Sequence, residues 1–306
     1  MKRVITLSVL VALAFVTPYA SVEAATKKSI VTGPIADATV NLYCRIKSGR
    51  KTYATSGSGV FIDARGVILT NAHVAKNNII AEEDGKVEGR CTVRMGTPAK
   101  DRYEAEILYF PSTWISENAS ELTKRMPKGT GENDFALLYV TKAKKGSLPS
   151  AFPFLAPDVL GGVSEGDAIT VAGYPTEGFS FAKLEKKLPL VAASSTITAS
   201  QYFSAARLQD SVTIAESKAG SPGISGGPVI NASNEVIGIA AVKGAAKDNH
   251  TLRAITLPYI NRIIFSETGI SLPALLSSEY GALASLSRAK ISESAVKTLE
   301  NGLLAN

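Results

Sequence analysis

The sequence predicts an all-β protein of two six-stranded barrels in tandem, with a cleft between them and helices at the C-terminal end. Three observations carry this reading. Short β-rich runs parted by turn residues recur about six times before residue 146. A second series of about six follows a stretch rich in Pro, Gly and Ser at residues 146–157. Beyond residue 257 the apolar spacing changes to that of a helix face.

Residues 1–24 read as a secretory signal peptide. Lys2 and Arg3 form a basic start, residues 4–16 are mostly apolar, and Val22-Glu23-Ala24 offers small residues where a signal peptidase cuts, so cleavage is expected after Ala24. The apolar core is short for an anchor. No later run reaches the roughly 18 apolar residues that span a bilayer, so no membrane span is expected after signal removal.

The N-terminal barrel is expected over residues 25–145. Residues 40–46 alternate apolar and polar side chains. Residues 58–63 and 67–74 are short runs parted by the turn Ala64-Arg65-Gly66, and runs at 91–95, 103–110 and 135–140 complete six. Taken alone, such a series suits a small barrel or a sandwich. Residues 111–133 are polar and long for a connection, which reads as a functional loop or a disordered insertion. A linker is expected at 146–158 and the C-terminal barrel at 159–257. Its runs are 168–172, 188–199, 211–215, 229–231, 236–242 and 252–257, with a hairpin turn at Asn231-Ala232-Ser233-Asn234-Glu235.

Residues 258–306 form the helical segment. Ile260, Ile263 and Ile264 share one face, with Pro258 near the helix start and Gly269 just past its end. Ile291, Ala295, Val296, Leu299 and Leu303 make a second stripe. It is narrow, which favours packing on the domain over a partner or oligomer helix.

Composition excludes several classes. At 306 residues and 45% hydrophobic the chain can bury a large core, and 20% charged residues without a long apolar-poor stretch argue against global disorder. The net charge is +6, or +5 without Lys2, Arg3 and Glu23 of the signal. Basic residues are scattered, and the densest cluster, 183–187, is broken by Leu184 and Glu185. It reads as a solvated face, so no nucleic-acid partner is expected. Cys44 and Cys91 suggest one disulfide in an exported chain. With only His73 and His250 as imidazoles and no paired-cysteine spacing, neither a metal nor another cofactor is expected.

Three strings carry chemistry: Thr70-Asn71-Ala72-His73-Val74, Asp134-Phe135-Ala136-Leu137-Leu138 and Gly223-Ile224-Ser225-Gly226-Gly227-Pro228. Ser225 is the candidate nucleophile, since a serine hydroxyl needs an adjacent base. Gly223, Gly226 and Gly227 allow a tight turn, which can aim the N–H groups of Gly223 and Ser225 at one point as an oxyanion hole. His73, at the end of an apolar run, is the candidate base; His250 lies in the polar stretch 247–250. Asp134, just before an apolar strand, is the candidate orienter of the imidazole, with Asp101 a weaker substitute. Gly223-Ile224-Ser225-Gly226-Gly227 also fits the GxSxG string of α/β-hydrolases. That fold needs the order Ser, acid, His, for which only Asp248 and His250 follow, and its strand–helix alternation is missing.

With these residues in hand, the chain resembles the chymotrypsin-like (trypsin-like) serine peptidases, and among them bacterial HtrA-type and related exported peptidases. The matching strings include Gly57-Ser58-Gly59-Val60-Phe61-Ile62 and Val236-Ile237-Gly238-Ile239 beside the three above. The resemblance covers residues 38–268. It implies two six-stranded antiparallel barrels with the triad in the cleft: His73 as general base, Asp134 as orienter, Ser225 as nucleophile, and the amides of Gly223 and Ser225 as oxyanion hole. It also places Cys44 on the first strand and Cys91 on the fourth, neighbours where the barrel closes, so that a Cys44–Cys91 bridge is implied. The base of the primary pocket falls on Ala219, six residues before the serine, and its wall on Ala240, Ala241 and Val242. No acid stands there to hold Arg or Lys, which implies a preference for small or medium apolar side chains.

Three departures matter. Ile224 stands where digestive-type relatives carry an aspartate that pairs with a freed N-terminus, so a zymogen switch of that kind is unavailable. HtrA-type proteins usually carry a PDZ domain, for which the 36 residues after 270 are too few. The insertion before Asp134 is long enough to cover the cleft. The expected protein is thus an exported serine endopeptidase, periplasmic or extracellular, acting on proteins or peptides. The competing expectation is a catalytically silent binding protein that keeps the peptidase fold. The oligomeric state is not readable from the sequence.

Overall fold

The computed structural model describes residues 31–48, 51–82, 88–122, 131–217, 220–242, 252–281, 283–285, 291 and 293–304. The expected signal peptide lies outside them. A short helix, α1 (Pro34–Ala38), leads into the first sheet. That sheet contains β1 (Thr39–Ser48), β2 (Lys51–Asp63), β3 (Val67–Thr70), β4 (Glu88–Met95), β5 (Lys100–Tyr109) and β6 (Ala136–Ala143). It closes in the order β1-β2-β3-β6-β5-β4, all pairs antiparallel. The second sheet contains β7 (Ala168–Gly173), β8 (Val191–Gln201), β9 (Ser211–Ile214), β10 (Pro228–Ile230), β11 (Val236–Val242) and β12 (Leu252–Thr256), and closes as β10-β11-β12-β9-β8-β7. Read around the ring, both barrels share one strand order. Closure leaves neither with a bare edge. β-branched and Leu side chains fill them: all of β3 is buried in the first, while Val171, Ile197, Val212, Val229 and Leu252 fill the second.

β1 pairs with β4 so that Cys44 stands directly opposite Cys91, and the two form a disulfide. The turn Asn231–Glu235 links β10 to β11 as expected. Asn231 Oδ1 accepts from the N–H groups of Ser233 and Glu235, both at 2.9 Å.

Helices interrupt several runs that read as strand or loop. The run 67–74 ends as a strand at Thr70, and α2 (Ala72–Glu82) begins two residues later. Its buried side includes Asn77 and Asn78, with Asn78 Nδ2 donating to Ala105 O at 3.1 Å. Polar residues on the inner face hide the helical period. In the polar stretch 111–133, α3 (Trp114–Leu122) buries Trp114 and Ile115, with Trp114 edge-on to Phe110; residues 123–130 lie outside the described set. The basic cluster 183–187 belongs to α4 (Phe181–Lys187), which places Lys186 and Lys187 in the last turn, where the helix dipole favours cations.

The carbonyl end of α4 is held by Arg94 on β4, whose side chain is only 2% exposed. Its guanidinium donates to Leu184 O (3.1 Å), Ala99 O (3.0 Å), Asn41 Oδ1 (3.2 Å) and Glu185 O, pairs with Asp101 (3.2 Å) and lies over the Tyr43 ring. A buried charge is tolerated when it is paired and hydrogen-bonded, here by carbonyls on both terminal nitrogens and by the Asp101 carboxylate beside Nε.

The expected linker is an extended strap. Phe152 N–H donates to Ala64 O and Leu155 N–H to Phe61 O in the first barrel. Val236 N–H, in the second, donates to Ala156 O at 2.8 Å. At the C-terminal end, α5 (Leu257–Thr268) is capped by Thr256 Oγ1, which accepts from Tyr259 N–H, and stopped by Gly269 at φ 77°. After α6 (Leu272–Leu276), α7 (Glu293–Leu304) buries Val296 and Leu299 against α3 and α2. Ile291, Ala295, Val296 and Leu299 of the second apolar stripe therefore pack on their own chain. Among the described residues no helix is long and apolar enough to cross a membrane.

The disulfide closes a loop of 47 residues. A thiol assay on the denatured, unreduced protein is expected to find no reactive thiol, and reduction should lower the unfolding free energy by about 4 kcal/mol. Arg94→Met strands carbonyls that the guanidinium satisfies, and is expected to cost roughly 3 kcal/mol in urea unfolding.

Candidate active site

Pairing of β3 with β6 sets Thr70 opposite Ala136, so the chain leaving β3 runs beside the chain entering β6. Asn71 fastens the two: its Nδ2 donates to Asp134 O at 2.7 Å. His73 follows in the first turn of α2, where backbone N–H groups lack helical partners. Asp134 fills that need. Its Oδ1 accepts His73 N–H at 2.9 Å, and its Oδ2 lies 2.8 Å from His73 Nδ1. A carboxylate at a helix N-terminus also complements the helix dipole. Facing a carboxylate, Nδ1 carries the proton, which leaves Nε2 as the acceptor. The imidazole side chain is 40% exposed and the Asp134 side chain 13%.

Asn133 fixes the approach to Asp134. It adopts φ 55° and is buried. Its N–H donates to the Tyr259 hydroxyl, which in turn donates to Asn133 Oδ1, both at 3.1 Å. Its Nδ2 donates to Glu117 Oε2 at 2.9 Å. Tyr259 sits on α5, so the helix after the second barrel steadies the acid of the first. Burial pushes the Tyr259 hydroxyl well above its ordinary value. Burial, and then the nearby carboxylates of Glu117 and Asp210, raise Glu132. Burial lowers the Lys76 ammonium on α2, partly offset by attraction to Asp134.

Ser225 lies in a turn built from two others. Ile224 N–H donates to Ser221 O across Pro222 and Gly223, with Gly223 at φ 96°. Pro then Gly at these positions is a type II turn. The Pro222 carbonyl accepts from Thr176 N–H at 2.7 Å and Thr176 Oγ1 at 3.1 Å. The Gly223 carbonyl accepts from Ser58 Oγ at 2.8 Å. Among the described residues nothing hydrogen-bonds the N–H of Gly223 or of Ser225. Ile224 anchors the turn in the core of the second barrel.

Gly226 brings this turn to the histidine. A Cβ there would lie 2.2 Å from Ser58 O, 2.3 Å from Thr70 Oγ1 and 3.1 Å from Asn71 N. The chain after Ser225 is thus pressed against the end of β3, two residues before His73, and Ser58 N–H donates to Ser225 O at 2.8 Å. Ser225 Oγ makes no hydrogen bond to the imidazole among the described residues. Such bonds are often long before substrate arrives and tighten in the Michaelis complex.

Of the other sequence candidates, Asp101 pairs with Arg94, away from His73. His250 and Asp248 lie outside the described residues, as does Ala219. Ala240 is buried in the second-barrel core and exchanges backbone hydrogen bonds with Gly226 and Gly227, both at 2.8 Å. Ala241 is partly exposed; Val242 ends β11, and its side chain is outside the described set. Sequence reading missed Ser58, Asn71, Asn133, Thr176 and Tyr259. Only Ser58 and Asn71 carried a signal, through their place in the strings singled out above. Among the described residues no cluster of His, Cys, Asp and Glu could hold a metal ion.

Tyr259→Phe leaves the buried N–H of Asn133 without a partner and should cost roughly 1–3 kcal/mol in urea unfolding. A raised hydroxyl pKa means that the stability Tyr259 supplies is whole below its unfolded value near 10 and is lost as pH rises past it. Melting curves are expected to show the wild type losing stability above about pH 10, with Tyr259→Phe losing less.

Comparison with known sequences agrees with this geometry. The family model described as a trypsin-like peptidase domain matches residues 57–239, which take in His73, Asp134 and Ser225. Comparison with the curated proteins finds no match. A family match spanning more than half of the chain, on a pair of closed six-stranded antiparallel barrels, places this protein in the family of trypsin-like peptidase domains.

Proposed function

We propose that the protein is an exported serine endopeptidase of the HtrA-resembling kind, cleaving peptide bonds through an acyl-Ser225 intermediate. One arrangement supports this above all. Asp134 holds His73 at two points, and beside it stands a serine turn with two N–H groups that have no hydrogen-bond partner among the described residues. His73 Nε2 takes the Ser225 proton as Oγ attacks the scissile carbonyl carbon. The N–H groups of Gly223 and Ser225 receive the oxyanion of the tetrahedral intermediate. His73 returns the proton to the leaving amine, and the C–N bond breaks to leave the acyl-serine. Water, deprotonated by the same nitrogen, attacks the ester carbonyl; the C–Oγ bond breaks to release the acid product, and His73 passes the proton to Ser225 Oγ. The disulfide supports an oxidising compartment outside the cytoplasm. Ala219, Ala240, Ala241 and Val242 are the proposed lining of a pocket for small or medium apolar side chains.

Fluorophosphonate labelling of the purified protein tests this reading. Ser225→Ala is expected to abolish labelling, and Asp134→Asn to lower turnover by about 10⁴. Unchanged rates in either variant contradict the assignment, and a wild type that never labels supports a silent binder instead. A peptide-library profile should favour Ala, Val and similar residues before the cut; dominance of Arg or Lys contradicts the pocket.

A further inference from the structure

Ser58 is fully buried on β2 of the first barrel. Every polar group it owns has a partner beyond its own strand. Its N–H donates to Ser225 O (2.8 Å), and its carbonyl accepts from Thr70 Oγ1 (2.7 Å). Its hydroxyl donates to Gly223 O (2.8 Å) and accepts from Tyr174 N–H (2.8 Å). A hydroxyl has one proton to give. With Tyr174 N–H on its acceptor side, that proton is committed to Gly223. The close fit needs glycine at 173, where a Cβ would lie 2.7 Å from Ser58 Oγ.

The partner carbonyl matters because of where it is. Gly223 is the most freely rotating residue of the turn before Ser225. The peptide before it is held through the Pro222 carbonyl by Thr176, and the peptide after it through its own carbonyl by Ser58. In a trans peptide the N–H points opposite the carbonyl, so tying the Pro222 carbonyl outward aims Gly223 N–H the other way. Turning that peptide over would convert the type II turn to type I and put a carbonyl where the N–H now stands. The Pro222 carbonyl would then present an acceptor to a developing negative charge. The backbone of Ile224 bonds only within the turn, to Ser221 O and Gly227 N–H, and its side chain is held by apolar packing. The side-chain grip on the turn from outside it therefore comes from Thr176 and from Ser58, the latter across the barrel junction.

We propose that Ser58 is a positioning residue for catalysis, whose hydroxyl reaches from the first barrel to hold the Gly223–Ile224 peptide so that the Gly223 and Ser225 N–H groups converge on the oxyanion. This rests on Ser225 being the nucleophile. Ser58 touches no reacting atom, and its effect passes through the placement of two donors.

The saturation kinetics of fluorophosphonate labelling test it, because the phosphoryl oxygen of that probe needs the same two donors as a tetrahedral intermediate. In Ser58→Ala, kinact is expected to fall about 10- to 100-fold, while KI changes by less than about two-fold because the pocket is untouched. Melting temperatures are recorded for each variant. Ser58→Cys, close in volume and a weak donor, decides the matter if Ser58→Ala does not fold, with kinact expected between the two extremes. A wild-type kinact in either folded variant overturns the proposal. So does slow labelling that comes entirely from a raised KI. Failure of the wild type to label, by contrast, overturns the reading of Ser225 as nucleophile and is thereby distinguishable.

Discussion

The site depends on where two closed barrels touch. Each barrel satisfies its own strand ladders and has no edge strand left to pair with its neighbour. What joins them at the cleft is a short set of bonds centred on Ser58: main chain to Ser225, side chain to Gly223 and Tyr174. His73 and Asp134 belong to the first barrel and the serine turn to the second. That join links the two barrels directly at the cleft, beside the strap and the Asn133–Tyr259 pair that also tie them together. With it, the turn is pressed against the end of β3, and the absence of a side chain at Gly226 allows the approach.

A second constraint acts inside the first barrel. β3 ends at Thr70 and the chain turns at once into α2, so His73 sits in a helical first turn with an N–H to satisfy. Asp134 meets that need with one oxygen and holds the imidazole with the other. Helix capping and orientation of the imidazole are the work of one carboxylate. Asp134 is itself steadied through Asn133 and Tyr259, so the second half of the chain helps to place a carboxylate of the first. The apolar anchor at Ile224 seats the serine turn in the core of the second barrel.

Much of this was legible before any coordinates. β-rich runs at 40–46, 135–140 and 236–242 fall on β1, β6 and β11, and the order His73, Asp134, Ser225 pointed to the double barrel over the α/β-hydrolase. The pairing of Cys44 with Cys91 followed once the barrel was in view, since those strands meet at its closure. What escaped was set by tertiary contact. α2 buries Asn77 and Asn78, which breaks its apolar period. The basic cluster 183–187 is solvated as expected, with Lys183, Lys186 and Lys187 exposed, but that it forms a helix escaped because the partner that docks it, Arg94, lies about 90 residues earlier. The stretch 111–133 read as loop, although Trp114 and Ile115 dock part of it as helix. Ser58 looked like one residue of a Gly-rich string, and its role exists only in the distance to Gly223 and Tyr174.

The most direct measurement is a burst experiment with an activated ester, followed by mass spectrometry of the trapped protein. The account predicts a burst equal in amount to the protein present, with the acyl group on the peptide that contains Ser225. Hydrolysis without a burst adduct, or an adduct carried by any other residue, would contradict it.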